Sequence, residues 1–122
     1  MSRDSSLYLE EIARAVESVA IYLKGLDYEA FLLDRKTQDA VLRNFIVLGE
    51  AVKQLPADLT GRHAAVEWRR IAGMRDMLVH QYFSTDLEIV WDAATNKLPA
   101  LRAAVRELLD SLPPLDAAGQ KV

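Results

Sequence analysis

Arg75-Asp76-Met77-Leu78-Val79-His80-Gln81-Tyr82 brings together a permanent cation, a carboxylate, a group that titrates near neutrality and a phenol. A guanidinium grips a phosphate through two parallel N–H donors. An imidazole can take and return a proton at cellular pH. Cleavage of a phosphodiester needs both. Met77, Leu78 and Val79 lie between the polar groups, as on the buried side of a helix. By chemistry alone the same residues also fit a bland role, as a salt-bridged surface arginine and a hydrogen-bonded core histidine. Helical residues turn by about 100° each, so Arg75 and Tyr82 share nearly one line while His80 lies about 140° round from Arg75. A straight helix does not aim Arg75 and His80 at one atom. Either the helix loosens after Val79, or a second copy of the chain supplies the missing group across a twofold axis.

The elements that must position these residues read as helices. Leu9, Ile12, Ala13, Val16, Val19, Ala20 and Leu23 form one amphipathic stripe, with Ser5 or Ser6 as its cap and Gly25 as its stop. Asp27 is placed to cap a short turn carrying Tyr28, Phe31 and Leu32. A second helix is expected from about Thr37 to Leu55, halted by Pro56, with Val41, Leu42, Phe45, Leu48, Gly49 and Val52 inward. Gly49 in mid-helix costs about 1 kcal/mol relative to alanine, so close approach of another helix is the expected reason for it. Glu50 beside it is either a solvated residue or a carboxylate at the mouth of an active cleft. Residues 56–67 read as a connector with a short helical piece, and His63 there as exposed and inert.

A third helix starts near Glu67 or Trp68 and carries Ile71, Ala72, Leu78 and Val79 inward, with Gly73 suggesting tight packing. Ser84-Thr85-Asp86 caps a fourth, whose seam runs from Leu87 through Val90, Trp91, Ala94, Leu98, Leu101, Val105 and Leu108 to Leu112. Pro99 predicts a kink or break within it. Trp68 and Trp91 occupy stripe positions that core packing explains. Nothing alternates with period two, so the expectation is an all-α, up-and-down bundle of four to five helices in one domain over residues 1–112. Pro113-Pro114 stops the last helix, and residues 113–122 are expected to be a disordered tail.

The chain has 122 residues, 51% of them hydrophobic, which suffices for one domain with a real core. It has no cysteine, which removes disulfides and thiolate metal sites and suits a reducing cytoplasm. With only His63 and His80, and no paired-ligand spacing, no structural zinc or other cofactor is expected. Charged residues run through the N-terminal stretch and the longest apolar run is Val19–Leu23, so neither a signal peptide nor a membrane span is expected. The net charge of −3 argues against broad, non-specific nucleic-acid affinity, which needs many phosphate-neutralising cations. Any RNA contact must be local. Residues 62–82 offer Arg62, Arg69, Arg70 and Arg75 against Glu67 and Asp76, either as such a patch or as a solvated helix face.

Arg75, His80 and Tyr82 together resemble the Arg-x4-His-x-Tyr motif of HepT-like toxins in the HEPN superfamily, with Asp76 in the polar slot after the arginine. The likeness extends to Tyr28-Glu29-Ala30-Phe31, to Asp39-Ala40-Val41 leading into Leu48-Gly49-Glu50-Ala51, and to Trp68-x-x-Ile71-Ala72-Gly73-Met74. It covers residues 5 to 112. The resemblance implies a homodimer whose two motifs line one cleft, and an endoribonuclease that works without a metal ion. In that scheme one His80 removes the 2′-hydroxyl proton, Arg75 stabilises the five-coordinate phosphorus, and the second His80 protonates the leaving 5′-oxygen. Asp76 either orients Arg75 or His80, or is only a surface carboxylate. The resemblance further implies the toxin of a toxin–antitoxin pair, silenced by a minimal nucleotidyltransferase that adds AMP to Tyr82. The alternative from another class is a non-catalytic dimeric helical module that binds a nucleotidyltransferase or a nucleotide.

Overall fold

Burial of one apolar stripe per helix accounts for the architecture. The structure, a computed structural model, describes residues 3–112, so the expected tail at 113–122 lies outside the described residues. The chain order is α1 (Arg3–Leu23), α2 (Tyr28–Leu32), α3 (Arg35–Lys53), α4 (Ala57–Thr60), α5 (Trp68–His80), α6 (Leu87–Asp92) and α7 (Leu98–Ser111). All regular structure among the described residues is helical. The expected all-α, single-domain bundle is what forms.

The third helix of the chain is its middle. α1 packs along one side of α3, α5 packs along the other, and α7 closes against α1. Leu9, Ile12, Val16 and Val19 of α1 meet Val41, Phe45, Leu48 and Val52 of α3 in the core, and Leu98, Leu101, Val105 and Leu108 of α7 complete it. By contrast α5 contributes only Ile71 and Leu78 as fully buried side chains. Its far flank opens on a groove of about 280 Å3 lined by Met74, Met77, Ile89 and Leu98. α5 is therefore held chiefly by α3, a point that matters for the site it carries.

Local chemistry sets most boundaries. Gly25 takes φ 80°, the left-handed conformation that ends α1 without a side-chain clash. Asp27 Oδ1 accepts from the Ala30 N–H at 2.8 Å and caps α2, and Asp86 Oδ1 accepts from the Glu88 and Ile89 N–H groups and caps α6. Asp34 Oδ1 accepts from Thr37 N while Oδ2 accepts from Thr37 Oγ1, so α3 starts at Arg35, two residues before the expected Thr37. Those two bonds hold the Asp34 carboxyl below the ordinary carboxylate range. Pro99 acts as anticipated. It lacks an N–H and crowds the carbonyl four residues back, and the chain widens into a π-helical turn over Ala93–Lys97 before α7 resumes.

Four expectations need correction. α1 starts at Arg3, so Ser5 and Ser6 lie inside the helix, buried, rather than capping it. Ala20 is exposed and Ala15 takes its place in the core, because the buried stripe drifts round the helix. Val79 is 46% exposed rather than inward, since the α3-facing line of α5 passes through Ile71, Arg75 and Leu78. Gly73 meets nothing within 4 Å of an added Cβ, as it faces away from α3, so tight packing does not explain it. Both tryptophans do pack on the core: Trp91 lies 5.3 Å from the Phe31 ring and 5.9 Å from Tyr28.

Phe45, 1% exposed at the centre of α3, is the side chain whose loss tests this arrangement. Phe45→Ala should lower unfolding stability by about 3–5 kcal/mol, read as a shift in the urea midpoint at unchanged slope.

Candidate active site

The seam between α3 and α5 is closer than ordinary side chains allow. A Cβ added at Gly49 would collide with Cβ of Arg75 and lie 3.2 Å from the Ile71 carbonyl oxygen. Glycine at 49 is thus what lets the Arg75 backbone settle on α3, as its place in mid-helix suggested. The Arg75 side chain, 28% exposed, then meets two carboxylates. Nη1 donates to Asp76 Oδ1 at 2.9 Å. Nε lies 3.1 Å from Glu50 Oε2, but its buried N–H is not aimed at that oxygen, so Glu50 holds it by charge rather than by a hydrogen bond.

Asp76 Oδ1 also accepts from Lys53 Nζ at 3.0 Å. The Arg75 bond first, and then the Lys53 bond, hold the Asp76 carboxyl below its usual range. Glu50, Lys53, Arg75 and Asp76 form a charge-balanced cluster. All four reach solvent, and pairs of this kind contribute only about 0–1 kcal/mol each. Stability does not account for such a cluster, whereas placement of a guanidinium does. These contacts engage Nε and Nη1, and Nη2 carries two further donors.

His80 is the last residue of α5 and is exposed. The helix does not loosen before it, so the five-residue spacing keeps His80 about 140° from Arg75 around the axis. Gln81 then leaves the helix at φ −131°, ψ 35°. Thr85 Oγ1 donates to the Tyr82 carbonyl at 2.8 Å and fixes the turn that follows. Tyr82 is consequently off the helix, and the line expected to join it to Arg75 is not realised. Its hydroxyl donates instead to Asp39 Oδ1 at 3.2 Å, on the first half of α3. Burial chiefly, and then the bond to Asp39 and its charge, push the Tyr82 phenol above its ordinary range, while Arg35 pulls the other way. Asp39 and Glu50 are eleven residues apart on α3, a rise of roughly 16 Å.

Of the residues singled out in the sequence, Arg75, Asp76 and Glu50 come together. His80 and Tyr82 do not join them within one chain. Of the basic stretch, Arg75 joins the cluster with Glu50 and Asp76, while Arg70 pairs with Glu67 at 3.7 Å, as a solvated face does. His63 is half-buried, its carbonyl accepting from Trp68 Nε1 at 3.0 Å. Among the described residues no group of acidic, histidine or cysteine side chains is arranged to hold a metal ion, and no helix is long and apolar enough to cross a membrane.

Residues 12–108 match the family described as Ribonuclease HepT-like. The chain belongs to that family. A relative from Thermococcus cleftensis, named "Probable ribonuclease HepT", is 38% identical over 108 residues, covering 88% of this chain and 98% of the relative. One from Caldanaerobacter subterraneus subsp. tengcongensis, named "Putative RNase", is 38% identical over 102 residues, covering 84% and 91%. A third, from Methanocaldococcus jannaschii and again named "Putative RNase", is 34% identical over 110 residues, covering 90% and 91%. No solved structure matches the chain.

Two contacts of the singled-out residues were not expected from the sequence. That of Lys53 was within reach, because it sits three residues after Glu50 and so on the same face of α3. The pairing of Asp39 with Tyr82 was not, since 43 residues separate them and no local spacing connects them.

Gly49→Ala tests whether the α3–α5 approach serves placement of Arg75. Overpacking should destabilise by about 1–3 kcal/mol, partly offset by the roughly 1 kcal/mol by which alanine is the better helix former. The folded variant should nevertheless lose most of any activity that depends on Arg75, measured on protein shown by circular dichroism to retain its helix content.

Proposed function

We propose that this chain is an endoribonuclease that cuts RNA by attack of a ribose 2′-hydroxyl on the adjacent phosphorus, acting as a twofold dimer and needing no metal ion. The observation that carries it is Arg75, pinned on the α3 seam with part of its guanidinium free, about 1.4 helical turns from an exposed His80, in a chain of the HepT-like ribonuclease family. The relatives' names as ribonucleases support the same reading.

In this scheme the phosphate docks on the free donors of Arg75, which stabilise the extra negative charge of the five-coordinate phosphorus. One imidazole takes the 2′-hydroxyl proton and a second returns a proton to the 5′-oxygen that leaves. The products are a 2′,3′-cyclic phosphate and a 5′-hydroxyl. Asp76 and Glu50 are positioning residues that fix the guanidinium. Two His80 imidazoles need two chains, and so does the roughly 140° between Arg75 and His80. Val79, Phe83 and Ile89 are exposed around the end of α5, and the groove beside Met74 and Met77 is open, which gives a second copy apolar surface to cover.

The same reading makes the chain the toxin of a toxin–antitoxin pair, working in the cytoplasm and silenced by a minimal nucleotidyltransferase that attaches AMP to Tyr82. With about three helical turns of α3 between the Tyr82 and Arg75 sites of one chain, the attached nucleotide obstructs RNA in the cleft formed by both chains rather than capping its own Arg75.

His80→Ala should reduce RNA cleavage by about 100-fold or more while leaving the fold intact. Arg75→Ala should do the same, and Arg75→Lys should rescue poorly because an ammonium lacks the planar fork. EDTA should leave the rate unchanged, and light scattering should give the mass of a dimer. Inhibition by EDTA or an active His80→Ala would refute the metal-free scheme. Full silence of the wild type toward RNA would favour the non-catalytic module.

Tyr82→Phe should cleave at a near-normal rate yet stay toxic when co-expressed with the nucleotidyltransferase. Neutralisation equal to that of the parent would replace covalent control with occlusion by a bound partner.

A further inference from the structure

Tyr82 does not stand alone on its side of α3. Its hydroxyl donates to Asp39, one turn beyond Arg35, and all three line an open cavity of about 340 Å3 that also takes in Leu42, Phe83 and Thr85. Phe83 is 99% exposed and sets its ring edge-on to Tyr82 at 5.9 Å between centroids. A carboxylate on a phenol, a guanidinium nearby and a bare aromatic face are not needed to hold the turn, which Thr85 already fixes. None of them belongs to the Arg75 cluster.

We infer that Asp39 is the proton acceptor for nucleotidylation of Tyr82, and that the cavity beside it seats the nucleotide while it is transferred. The inference rests on the reading of Tyr82 as the modified residue and adds the machinery this chain contributes. The phenol oxygen attacks the α-phosphorus of a nucleoside triphosphate. The Tyr82 oxygen–phosphorus bond forms, the bond from that phosphorus to the bridging oxygen breaks, and pyrophosphate leaves. The phenol proton passes to Asp39 Oδ1 and from there to water. Arg35 offsets the negative charge of the phosphodiester that forms, and Phe83 presents a flat face for the base.

An acceptor is needed because the phenol is protonated at neutral pH, the more so with its affinity for the proton raised. Asp39 meets that need at the reacting atom. The charged groups that face the phenol, Asp39 and Arg35, both come from α3.

The test uses the purified full chain, a minimal nucleotidyltransferase from the same genome and magnesium ATP, with mass gain followed by intact-mass spectrometry and located by peptide mapping. Wild type should gain whole AMP units on Tyr82. Asp39→Asn, which keeps the shape and removes the proton acceptor, should slow that gain by about 100-fold near pH 7 while cleaving RNA as the wild type does. The deficit should shrink as the pH is raised into the alkaline range in which the phenol ionises unaided. Asp39→Glu should recover part of the rate. Modification of Asp39→Asn at the wild-type rate, or a deficit unmoved by pH, would overturn the role of Asp39 while leaving Tyr82 as the acceptor. A wild type that gains no mass on Tyr82 would remove both readings together.

Discussion

The approach of α5 to α3 at Gly49 is the constraint on which the candidate site depends. Only a residue without a side chain admits the Arg75 backbone there, and only that approach brings the guanidinium between Glu50 and Asp76. The order of causes runs from one missing methyl group to the position of a cation. A glycine in mid-helix weakens α3 by about 1 kcal/mol relative to alanine, and the exposed ion pairs recover little of it. Since α5 buries only Ile71 and Leu78 completely, its hold on the bundle is modest as well. Packing that yields so little stability at this seam makes sense as packing for position.

Charge balance explains how an acidic protein can present a usable cation. A lone arginine in a partly buried seam would be costly, and one fully neutralised by carboxylates could not attract a phosphate. Here Asp76 is shared between Arg75 and Lys53, so two cations face two carboxylates and the cluster is neutral without saturating the guanidinium. The long-range attraction for nucleic acid stays small, as the net charge of −3 requires. Affinity must come from contacts made in place.

Periodicity made the fold legible. The stripes of α1 and α3, the seam through α6 and α7, the caps at Asp27 and Asp86 and the break at Pro99 are all local properties of the chain, and local rules recovered them. Boundaries at which several signals compete were less legible: Asp34 rather than Thr37 opens α3, and Ser5 and Ser6 are swallowed by a helix that starts at Arg3. For the site, the Gly49 argument worked because a costly residue demands a neighbour. Gly73 shows the limit of that argument, since an exposed helix face tolerates a glycine with nothing against it. The wheel that joined Arg75 to Tyr82 failed because it assumed a helix beyond His80.

Where α5 ends decides how the two ends of the motif relate. Had the helix continued through Gln81, Tyr82 would lie over Arg75 and one phosphate could serve both. Instead Gln81 leaves helical geometry, and the Thr85 hydroxyl takes up the Tyr82 carbonyl. Because α5 runs antiparallel to α3, the phenol is delivered to Asp39, toward the opposite end of α3 from Glu50. α3 thus separates the contacts of the Arg75 guanidinium from that of the Tyr82 phenol by roughly 16 Å. His80 sits at the hinge between them, exposed. A single chain therefore holds two clusters of different chemistry along one helix: a guanidinium fixed by Glu50 and Asp76, and a phenol bonded to Asp39. In the proposed function a second copy completes the first and a transferase acts on the second, so that one chain carries both an activity and the means of its control.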